Sequence, residues 1–244
     1  MVPRKWFQSH TPKSAVPPGI RVYAIGDVHG RLDLLEAVFA KIDDDLARRP
    51  TVASMTIMIG DYVDRGPNTK GVIDLLLKRA QMDRLICLRG NHEQLFLNFL
   101  FNPSSFGAWR AVGAMETLTS YGLKVNPDEN PTRLARKLNG ALPASHRRFL
   151  DALPLTYALG DYFFVHAGVQ PGVSLDDQDP ADLLWIRGDF LEYKSSFGKI
   201  VVHGHTPVAE PDIRHNRVNI DTGAYITNRL TCLVLEGESV FTIA

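Results

Sequence analysis

Two aspartates three residues apart follow a short apolar run in the stretch GDYVDRG, residues 60–66. A tight turn uses aspartate and glycine freely, but one of each would be enough. Asp61, Asp64 and the adjacent Arg65 therefore carry more charge than a turn requires. The surplus charge indicates a site at which something binds.

Four further stretches place polar residues directly after apolar runs. They are GDVHG at 26–30, RGNHE at 89–93, HAG at 166–168 and HGHT at 203–206. Five of the eight histidines lie in these stretches: His29, His92, His166, His203 and His205. Aspartate oxygens, histidine nitrogens and an asparagine carbonyl suit manganese, iron, zinc or magnesium-like ions, and no thiolate is offered. The residue types therefore predict a site for a pair of metal ions.

The elements that must position these stretches alternate between strand and helix along the first hundred residues. Strands are predicted at Ile20–Ile25, Ser54–Ile59 and Arg84–Leu88, and helices at Leu32–Ala47, Thr69–Ala80 and Glu93–Leu100. This rhythm predicts a mainly parallel sheet packed against helices. Because ligands of open α/β sheets gather outside the carboxyl ends of the strands, we expect the five polar loops to converge on one site.

The remaining segments differ in character. Residues 1–19 contain four prolines and no periodicity, which predicts a flexible N-terminal arm before a domain over 20–244. Residues 102–153 are predicted to form a mainly helical insertion. The second half is strand-rich, with strands predicted at Tyr162–Val165, Ile200–Val202, Arg217–Ile220, Thr231–Leu235 and Val240–Ile243. Their close spacing predicts a mixed or antiparallel sheet.

Composition excludes several classes of protein. Lysine plus arginine and aspartate plus glutamate both number 27 in the 244 residues, so a binder of the nucleic-acid backbone is not expected. Cys87 and Cys232 lie in apolar runs and are interpreted as buried thiols. The N-terminus lacks the apolar core of a secretory signal, and no apolar run approaches the roughly 18 residues needed to span a membrane. We therefore expect a soluble cytoplasmic protein without a membrane partner.

The series GDVHG, GDYVDRG, LRGNHE, HAG and HGHT resembles the phosphoprotein phosphatases, a branch of the calcineurin-like metallophosphoesterases, over about residues 20–224. The compact length and the segment DLLWIRGDF at 182–190 are similar to bacterial and phage members. The resemblance implies an α/β fold in which two mixed β-sheets are flanked by helices as an α/β/β/α sandwich. The segment 108–122 also resembles bacterial members, which have Asn-Gly-Gly where this chain has Val112-Gly113-Ala114.

The resemblance implies two divalent metal ions, manganese foremost, with iron, zinc, nickel, cobalt or magnesium as alternatives. It implies that Asp27, His29 and Asp61 hold the first ion, and that Asp61 bridges to a second ion completed by Asn91, His166 and His205. A hydroxide between the ions would attack phosphorus in line. His203 is not assigned as a ligand.

The resemblance also implies the acid and the phosphate-binding groups. In the family, the second aspartate of the GDxVDRG motif orients the histidine of GNHE, so Asp64 would orient His92, which would protonate the leaving group as general acid. Arg65 and Arg187 would hold phosphate oxygens together with Asn91.

The function that this resemblance favours is a metal-dependent phosphomonoesterase of the serine/threonine protein phosphatase type, acting on a phosphoprotein or a small phosphoester. The alternative is a diadenosine polyphosphate (Ap4A) hydrolase, which shares the fold and most motifs. Those enzymes tend to lack the second aspartate of GDxVDRG and to end the third motif in Asp, whereas this chain has Asp64 and Glu93. A third hypothesis, a catalytically silent scaffold, is disfavoured because no motif residue is lost.

Overall fold

The computed structural model describes residues 5–6, 15–126 and 129–243. Its first sheet has six strands in the order β1-β11-β10-β2-β3-β4. These strands are β1 (Lys5–Trp6), β2 (Ile20–Ile25), β3 (Ala53–Met58), β4 (Leu85–Cys87), β10 (Cys232–Glu236) and β11 (Ser239–Thr242). Strands β2, β3 and β4 pair in parallel, and the remaining pairs are antiparallel.

The second sheet has five strands in the order β5-β6-β7-β9-β8. They are β5 (Thr156–Leu159), β6 (Tyr162–Val165), β7 (Ile200–His203), β8 (Asp212–Ile213) and β9 (Arg217–Asn219). Strands β6, β7 and β9 pair in parallel, and β5 and β8 pair antiparallel at the two edges. Both sheets are therefore mixed, as the resemblance implied.

Helices cover the outer faces of both sheets. They are α1 (Leu32–Arg48), α2 (Thr69–Arg79), α3 (Asn91–Phe101), α4 (Phe106–Arg110), α5 (Ala114–Ser120), α6 (Pro131–Ala141), α7 (Ala144–Ala152), α8 (Pro180–Trp185), α9 (Gly188–Glu192) and α10 (Ala224–Thr227). A short 3-10 helix, Pro103–Ser105, precedes α4, so the segment predicted as a helical insertion holds this turn and α4 to α7. None of the helices in the described part of the chain has the length and apolar character needed to cross a membrane.

The hydrophobic core lies in three layers because successive strand residues face opposite sides of a sheet. Val22 and Ala24 of β2 join a cluster between the two sheets, together with Phe164 of β6. Tyr23 and Ile25 face the other way, into a cluster with helices α1 to α7. A third cluster packs the outer face of the second sheet against α8 and α9. This arrangement is the expected α/β/β/α sandwich.

The structure corrects one expectation and adds short elements. The last two strands, β10 and β11, join the first sheet instead of the sheet of the other second-half strands, because β10 pairs along its own full length with β2. Edge strands β5 and β8 and helices α8 to α10 were not predicted from the sequence. These elements are six residues long or shorter, so their sequences show too little periodicity to be recognised.

Part of the predicted arm at 1–19 is paired with the domain. Lys5 and Trp6 form the short strand β1 against Thr242 and Phe241 of β11. Val16 is buried and its backbone N–H donates to Gly237 O. The other residues of that segment up to 14 lie outside the described residues. The boundary between an arm and a domain at residue 20 stays a prediction.

Candidate active site

The polar loops converge because the parallel strands of each sheet end at the same edge. GDVHG follows β2, GDYVDRG follows β3 and RGNHE follows β4, and these three strands are neighbours. In the second sheet, HAG follows β6 and HGHT begins at the last residue of the neighbouring strand β7. The packing of the two sheets face to face brings all five loops together, as the sequence predicted.

The backbone of these loops is left-handed at residues that would normally avoid it. Six described non-glycine residues have positive φ, and five of them lie in the polar loops: His29, Asp61, Asp64, Arg65 and His205. Each such residue costs about 1–3 kcal/mol and persists only where its surroundings hold it in place, and such strain concentrates at functional sites. The loops therefore depend on specific bracing interactions.

Glu93 supplies one such brace. Its buried carboxylate accepts N–H groups from Asp61 and Gly90 at 2.9 Å, from Tyr62 at 2.7 Å and from Val63 at 3.2 Å. Burial, together with the nearby negative charge of Asp61, raises the pKa of Glu93 to about 7. Four backbone donors on one side chain lock the turn of GDYVDRG onto the start of α3.

Two glycines let other loops approach the buried carboxylates. A Cβ atom on Gly90 would collide with Asp61 Oδ1, and one on Gly204 would collide with Asp27 Oδ1. With glycine in place, the N–H of His92 donates to Asp61 Oδ1 at 3.1 Å, and that of His205 donates to Asp27 Oδ2 at 3.1 Å. The glycines of the motifs are therefore needed for close packing around the site.

The ligand atoms of the buried residues form two overlapping groups. Those of His29, Asp61 and His92 lie within 4.8 Å of one another, and so do those of Asp27, Asp61 and His166. Asp61 belongs to both groups, which is the position a bridging carboxylate needs. The division of ligands between two ions stays a prediction.

The histidines present their nitrogens in the form that metal binding requires. Nδ1 of His29 lies 2.9 Å from Val63 O, and Nδ1 of His166 lies 3.0 Å from Ile59 O. A histidine that donates Nδ1–H to a carbonyl keeps the lone pair of Nε2 free for a ligand. Burial lowers the pKa of His29 to about 3, which keeps its imidazole neutral.

Asn91 lies beside the second group. Its amide oxygen lies 2.8 Å from His166 Nε2 and 2.9 Å from His205 Nδ1. Burial lowers the pKa of His205 to about 2, so it too is neutral. Seven buried side-chain atoms of the described residues have no hydrogen-bond partner, and Asp27 Oδ1 and His205 Nε2 are the two that belong to candidate ligands.

Asp61 is ionised in this setting. Burial opposes ionisation, but the imidazoles of His166 and His92 outweigh it and hold the pKa of Asp61 well below its usual range. An ionised carboxylate, the neutral imidazoles of His29 and His205 and unpartnered buried ligand atoms fit divalent metal ions.

His92 and Asp64 form a buried pair with 2.7 Å between Nδ1 and Oδ2. Trp109 Nε1–H donates to Asp64 Oδ2 at 2.9 Å, and the Thr117 hydroxyl donates to Asp64 Oδ1 at 2.7 Å. Burial opposes the charged imidazole, but Asp61 and Asp64 raise the pKa of His92. The arrangement can hold a proton on His92 and aim it at a leaving group.

The two predicted phosphate-binding arginines reach the site from different loops. Arg65 Nη2 lies 3.2 Å from His92 Nε2, and its guanidinium lies over the ring of Tyr225 at 4.6 Å from the centroid. Arg187 donates to the carbonyl of His205 at 3.1 Å and to the hydroxyl of Thr206 at 3.2 Å. Both guanidinium groups are thereby held beside the candidate ligands.

Sequence reasoning missed Asp221, Tyr225, Trp109 and Thr117. Asp221 is buried after β9, and burial raises its pKa to about 6. It follows an apolar strand in the stretch NIDTG, so the rule that selected the other loops could have found it. Trp109 and Thr117 come from the helical insertion, where no such rule applies.

His203 lies apart from these groups. It is fully buried, with Nδ1 at 3.1 Å from Gly204 O and its ring edge-on to Phe190 at 4.8 Å between centroids. Burial lowers its pKa to about 3. Its place against the core agrees with leaving it out of the ligand set.

A fold of two packed mixed sheets with a buried Asp, His and Asn cluster at their shared edge defines a metal-dependent phosphoesterase. A sequence model of the calcineurin-like phosphoesterase family matches residues 20–227, so the chain belongs to this family. The family implies divalent metal ions, and the cluster described above has the residues to hold them.

Curated relatives cover nearly the whole chain. The chain is 25% identical over 231 residues to the bis(5'-nucleosyl)-tetraphosphatase PrpE [asymmetrical] of Anoxybacillus flavithermus, covering 86% of this chain and 88% of that protein. It is 28% identical over 229 residues to the protein of the same name from Halalkalibacterium halodurans, covering 86% and 87%.

Solved structures share the fold. A putative diadenosine tetraphosphatase has a TM-score of 0.64 at 18% identity, covering 95% of this chain and 98% of that one. The cold-active protein-tyrosine phosphatase of a psychrophilic Shewanella has a TM-score of 0.63 at 17% identity, covering 94% and 83%. At these identities the likeness concerns the fold alone.

Proposed function

We propose that this chain hydrolyses dinucleoside tetraphosphates, cleaving them asymmetrically into a nucleoside triphosphate and a nucleoside monophosphate. The observation that carries the proposal is the match to relatives of that name over more than 85% of both chains. The sequence favoured a protein phosphatase on the strength of Asp64 and Glu93. The relatives instead support the alternative, so the preference drawn from those two residues was too strong.

The proposed site residues have three roles: binding metal ions, binding phosphate and protonating the leaving group. Asp27, His29, Asp61, Asn91, His166 and His205 would hold two divalent ions. Bound there, the ions would neutralise charge on phosphoryl oxygens and supply the nucleophile from water. Arg65 and Arg187 would bind phosphate oxygens with their planar guanidinium groups. His92, held by Asp64, would donate the proton to the departing oxygen.

Two fixed arginines on different loops suit a chain of several phosphates. Arg65 is held beside His92, and Arg187 is held on the loop of His205. Each guanidinium can bind phosphate oxygens, and the successive phosphates of a polyphosphate offer oxygens to both. This placement is compatible with a polyphosphate substrate, as it is with a single phosphoryl group.

Phosphomonoester hydrolysis of the serine/threonine protein phosphatase type is the second candidate. The observation that favours it is the intact 2.7 Å pair of His92 and Asp64. An alkoxide leaving group such as that of phosphoserine needs a proton, and this pair can provide it. A phosphoanhydride leaves as a stabilised phosphate and needs it less.

The test is a substrate panel on the metal-loaded protein. Diadenosine tetraphosphate, a phosphoserine peptide and p-nitrophenyl phosphate are compared by kcat/KM, and nucleotide products are separated by chromatography. We expect the dinucleotide to be the preferred substrate and the products to be ATP and AMP. The Asp61→Asn variant, purified identically, controls for contaminating activity. Preference for the phosphopeptide, or release of two ADP molecules, would contradict the proposal.

A further inference from the structure

One large aromatic side chain stands half-exposed at the candidate site without a role in the scheme above. Trp185, the last residue of α8, keeps 43% of its surface exposed. Its ring centroid lies 6.2 Å from that of His205, with the two planes at 87°. A half-exposed indole beside a polar site offers a flat aromatic face on which a planar ligand can stack.

The segment that carries Trp185 is anchored to the loops that hold the candidate ligands. Leu183 and Leu184 of α8 are buried, and the carbonyl of Leu183 accepts the N–H of Ala167 at 2.9 Å, next to His166. Two residues beyond the indole, Arg187 is tied to the loop of His205 by two hydrogen bonds. The backbone at Trp185 is therefore anchored on both sides next to the site.

We propose that Trp185 is the stacking surface for a nucleobase whose phosphates are bound at Arg187 and the metal cluster. The inference rests on the proposed function, because a dinucleoside tetraphosphate carries an aromatic base at each end of its phosphate chain. Indole is the best side chain for stacking on a base, and stacking tolerates any base because every base has a π-face. The adjacent guanidinium of Arg187 faces the phosphates that such a base would carry.

The test separates the base from the phosphates. ATP and inorganic tripolyphosphate both carry three linked phosphates, and ATP adds a ribose and a base. Both are measured as competitive inhibitors of p-nitrophenyl phosphate hydrolysis by the metal-loaded protein. We expect ATP to bind about 5- to 100-fold more tightly than tripolyphosphate, as stacking of one base implies.

The variants locate that preference. Trp185→Ala should abolish the difference between ATP and tripolyphosphate, and Trp185→Phe should retain part of it, while inhibition by tripolyphosphate stays unchanged in both. Phe101→Ala is the matched control, because Phe101 is 74% exposed and ends α3 about 15 Å of helix from Asn91. It should leave both inhibition constants unchanged.

A binding measurement gives a readout that does not depend on turnover. ATP should quench the tryptophan fluorescence of the wild-type protein, tripolyphosphate should not, and Trp185→Phe should lose the ATP-dependent quenching. Equal inhibition by ATP and tripolyphosphate in the wild type, or an ATP preference that survives Trp185→Ala, would overturn the inference. Tighter binding of an apolar phosphopeptide than of ATP, lost in Trp185→Ala, would also overturn the inference. Trp185 would then contact a protein substrate instead of a base.

Failure of the proposed function has a different signature. If diadenosine tetraphosphate is not hydrolysed but ATP still binds through Trp185, the function is wrong and the stacking surface stands. If the dinucleotide is hydrolysed with an unchanged KM in Trp185→Ala, the function stands and the stacking surface is wrong.

Discussion

The two carboxylates of GDYVDRG differ in their surroundings although they lie three residues apart. Asp61 is ringed by imidazoles and belongs to both groups of candidate ligands. Asp64 instead accepts hydrogen bonds from Trp109, Thr117 and His92. The first environment suits a cation, and the second suits a carboxylate that positions a histidine.

Replacing either carboxylate by its amide should therefore have different consequences. We expect Asp61→Asn to lower the bound metal and to abolish activity. Asp64→Asn should leave metal content intact, because its partners are protein donors. Metal is measured by elemental analysis of the purified proteins. Equal loss of metal in the two variants would refute this division of roles.

His92 is the residue that separates chemistry from binding. If it protonates the leaving group, His92→Asn should lower kcat by roughly 10²–10⁴-fold on a phosphoserine peptide. The loss should be smaller on p-nitrophenyl phosphate and on diadenosine tetraphosphate, whose leaving groups are better. KM should move little because Arg65 remains to hold phosphate. His215→Asn, at an exposed histidine, is the matched control.

Asp64→Asn should show the same dependence on the leaving group in weaker form, since Asp64 acts through His92. Identical losses of kcat on all three substrates, with chemistry shown to be rate-limiting, would remove His92 from the acid role. It would then be a residue that positions phosphate.

At this scale the sequence is informative wherever a polar residue directly follows a core strand. His29, Asp61 and His166 could be predicted from that placement, and the structure places His29 and His166 each in a group with Asp61. Trp109 and Thr117 could not, because they reach Asp64 from helices of the insertion, and a hydrogen bond across 45 and 53 residues leaves no local pattern. Only the packing of that insertion reveals them.

At the scale of elements, a buried ion-pair network joins α1 to the first sheet. Asp45 of α1 accepts hydrogen bonds from Arg49 at 2.6 Å and from Tyr23 of β2 at 2.8 Å. Arg21 of β2 lies between Asp45, at 3.3 Å, and Glu236 of β10, at 2.6 Å. The network links the helix to two neighbouring strands at the end opposite the site.

Asp45→Asn should lower the free energy of unfolding by about 2–3 kcal/mol at pH 7, because it leaves buried donors of Arg21 and Arg49 poorly paired. Asp44→Asn is the matched control on the adjacent residue. Its pair with Arg48 is half-exposed, so its loss should stay below about 1 kcal/mol. Urea unfolding of the three proteins gives the comparison.

The same pair of variants gives a pH dependence with a defined sign. Burial opposes the ionisation of Asp45, but hydrogen bonds from Arg49 and Tyr23 outweigh burial and lower its pKa in the folded protein. A carboxyl group whose pKa is lowered by folding stabilises the protein at pH values above its unfolded-state pKa of about 3.9. This stabilisation is lost as the pH falls through the folded-state pKa. The deficit of Asp45→Asn should therefore shrink below about pH 4. A deficit that is constant from pH 7 to pH 3.5 would show that the charge of Asp45 does not contribute.

Elements of the fold were predictable to different degrees. The β-α-β-α half could be predicted because its strands are apolar and its helices long, as with β2 and α1. The partner of β10 could not, because antiparallel pairing of β10 with β2 joins residues about 210 positions apart. Strand pairing at that separation is decided by which sheet edge remains open after the other strands have packed.

Across the whole molecule, the site concentrates buried charge where the two sheets meet. Asp27, Asp61 and Asp221 are each 2–3% exposed. Burial, with the charge of Asp221 beside it, raises the pKa of Asp27. Carboxylates crowded in this way repel one another, and cations bound between them relieve the repulsion. Metal binding and folding should therefore be coupled.

Metal removal tests this coupling and the proposed chemistry together. Chelation should abolish phosphoesterase activity, and Mn²⁺ or a similar divalent ion should restore it. Because a ligand that binds only the folded state at 100 times its Kd stabilises by about 2.7 kcal/mol, Mn²⁺ should raise the Tm of the metal-free protein by about 5–10 °C. Asp61→Asn should lose most of that rise. Glu36→Gln, at an exposed carboxylate on α1, should keep it. Full turnover by a rigorously metal-free preparation, or a Tm that does not respond to divalent ions, would refute a metal site built from these residues.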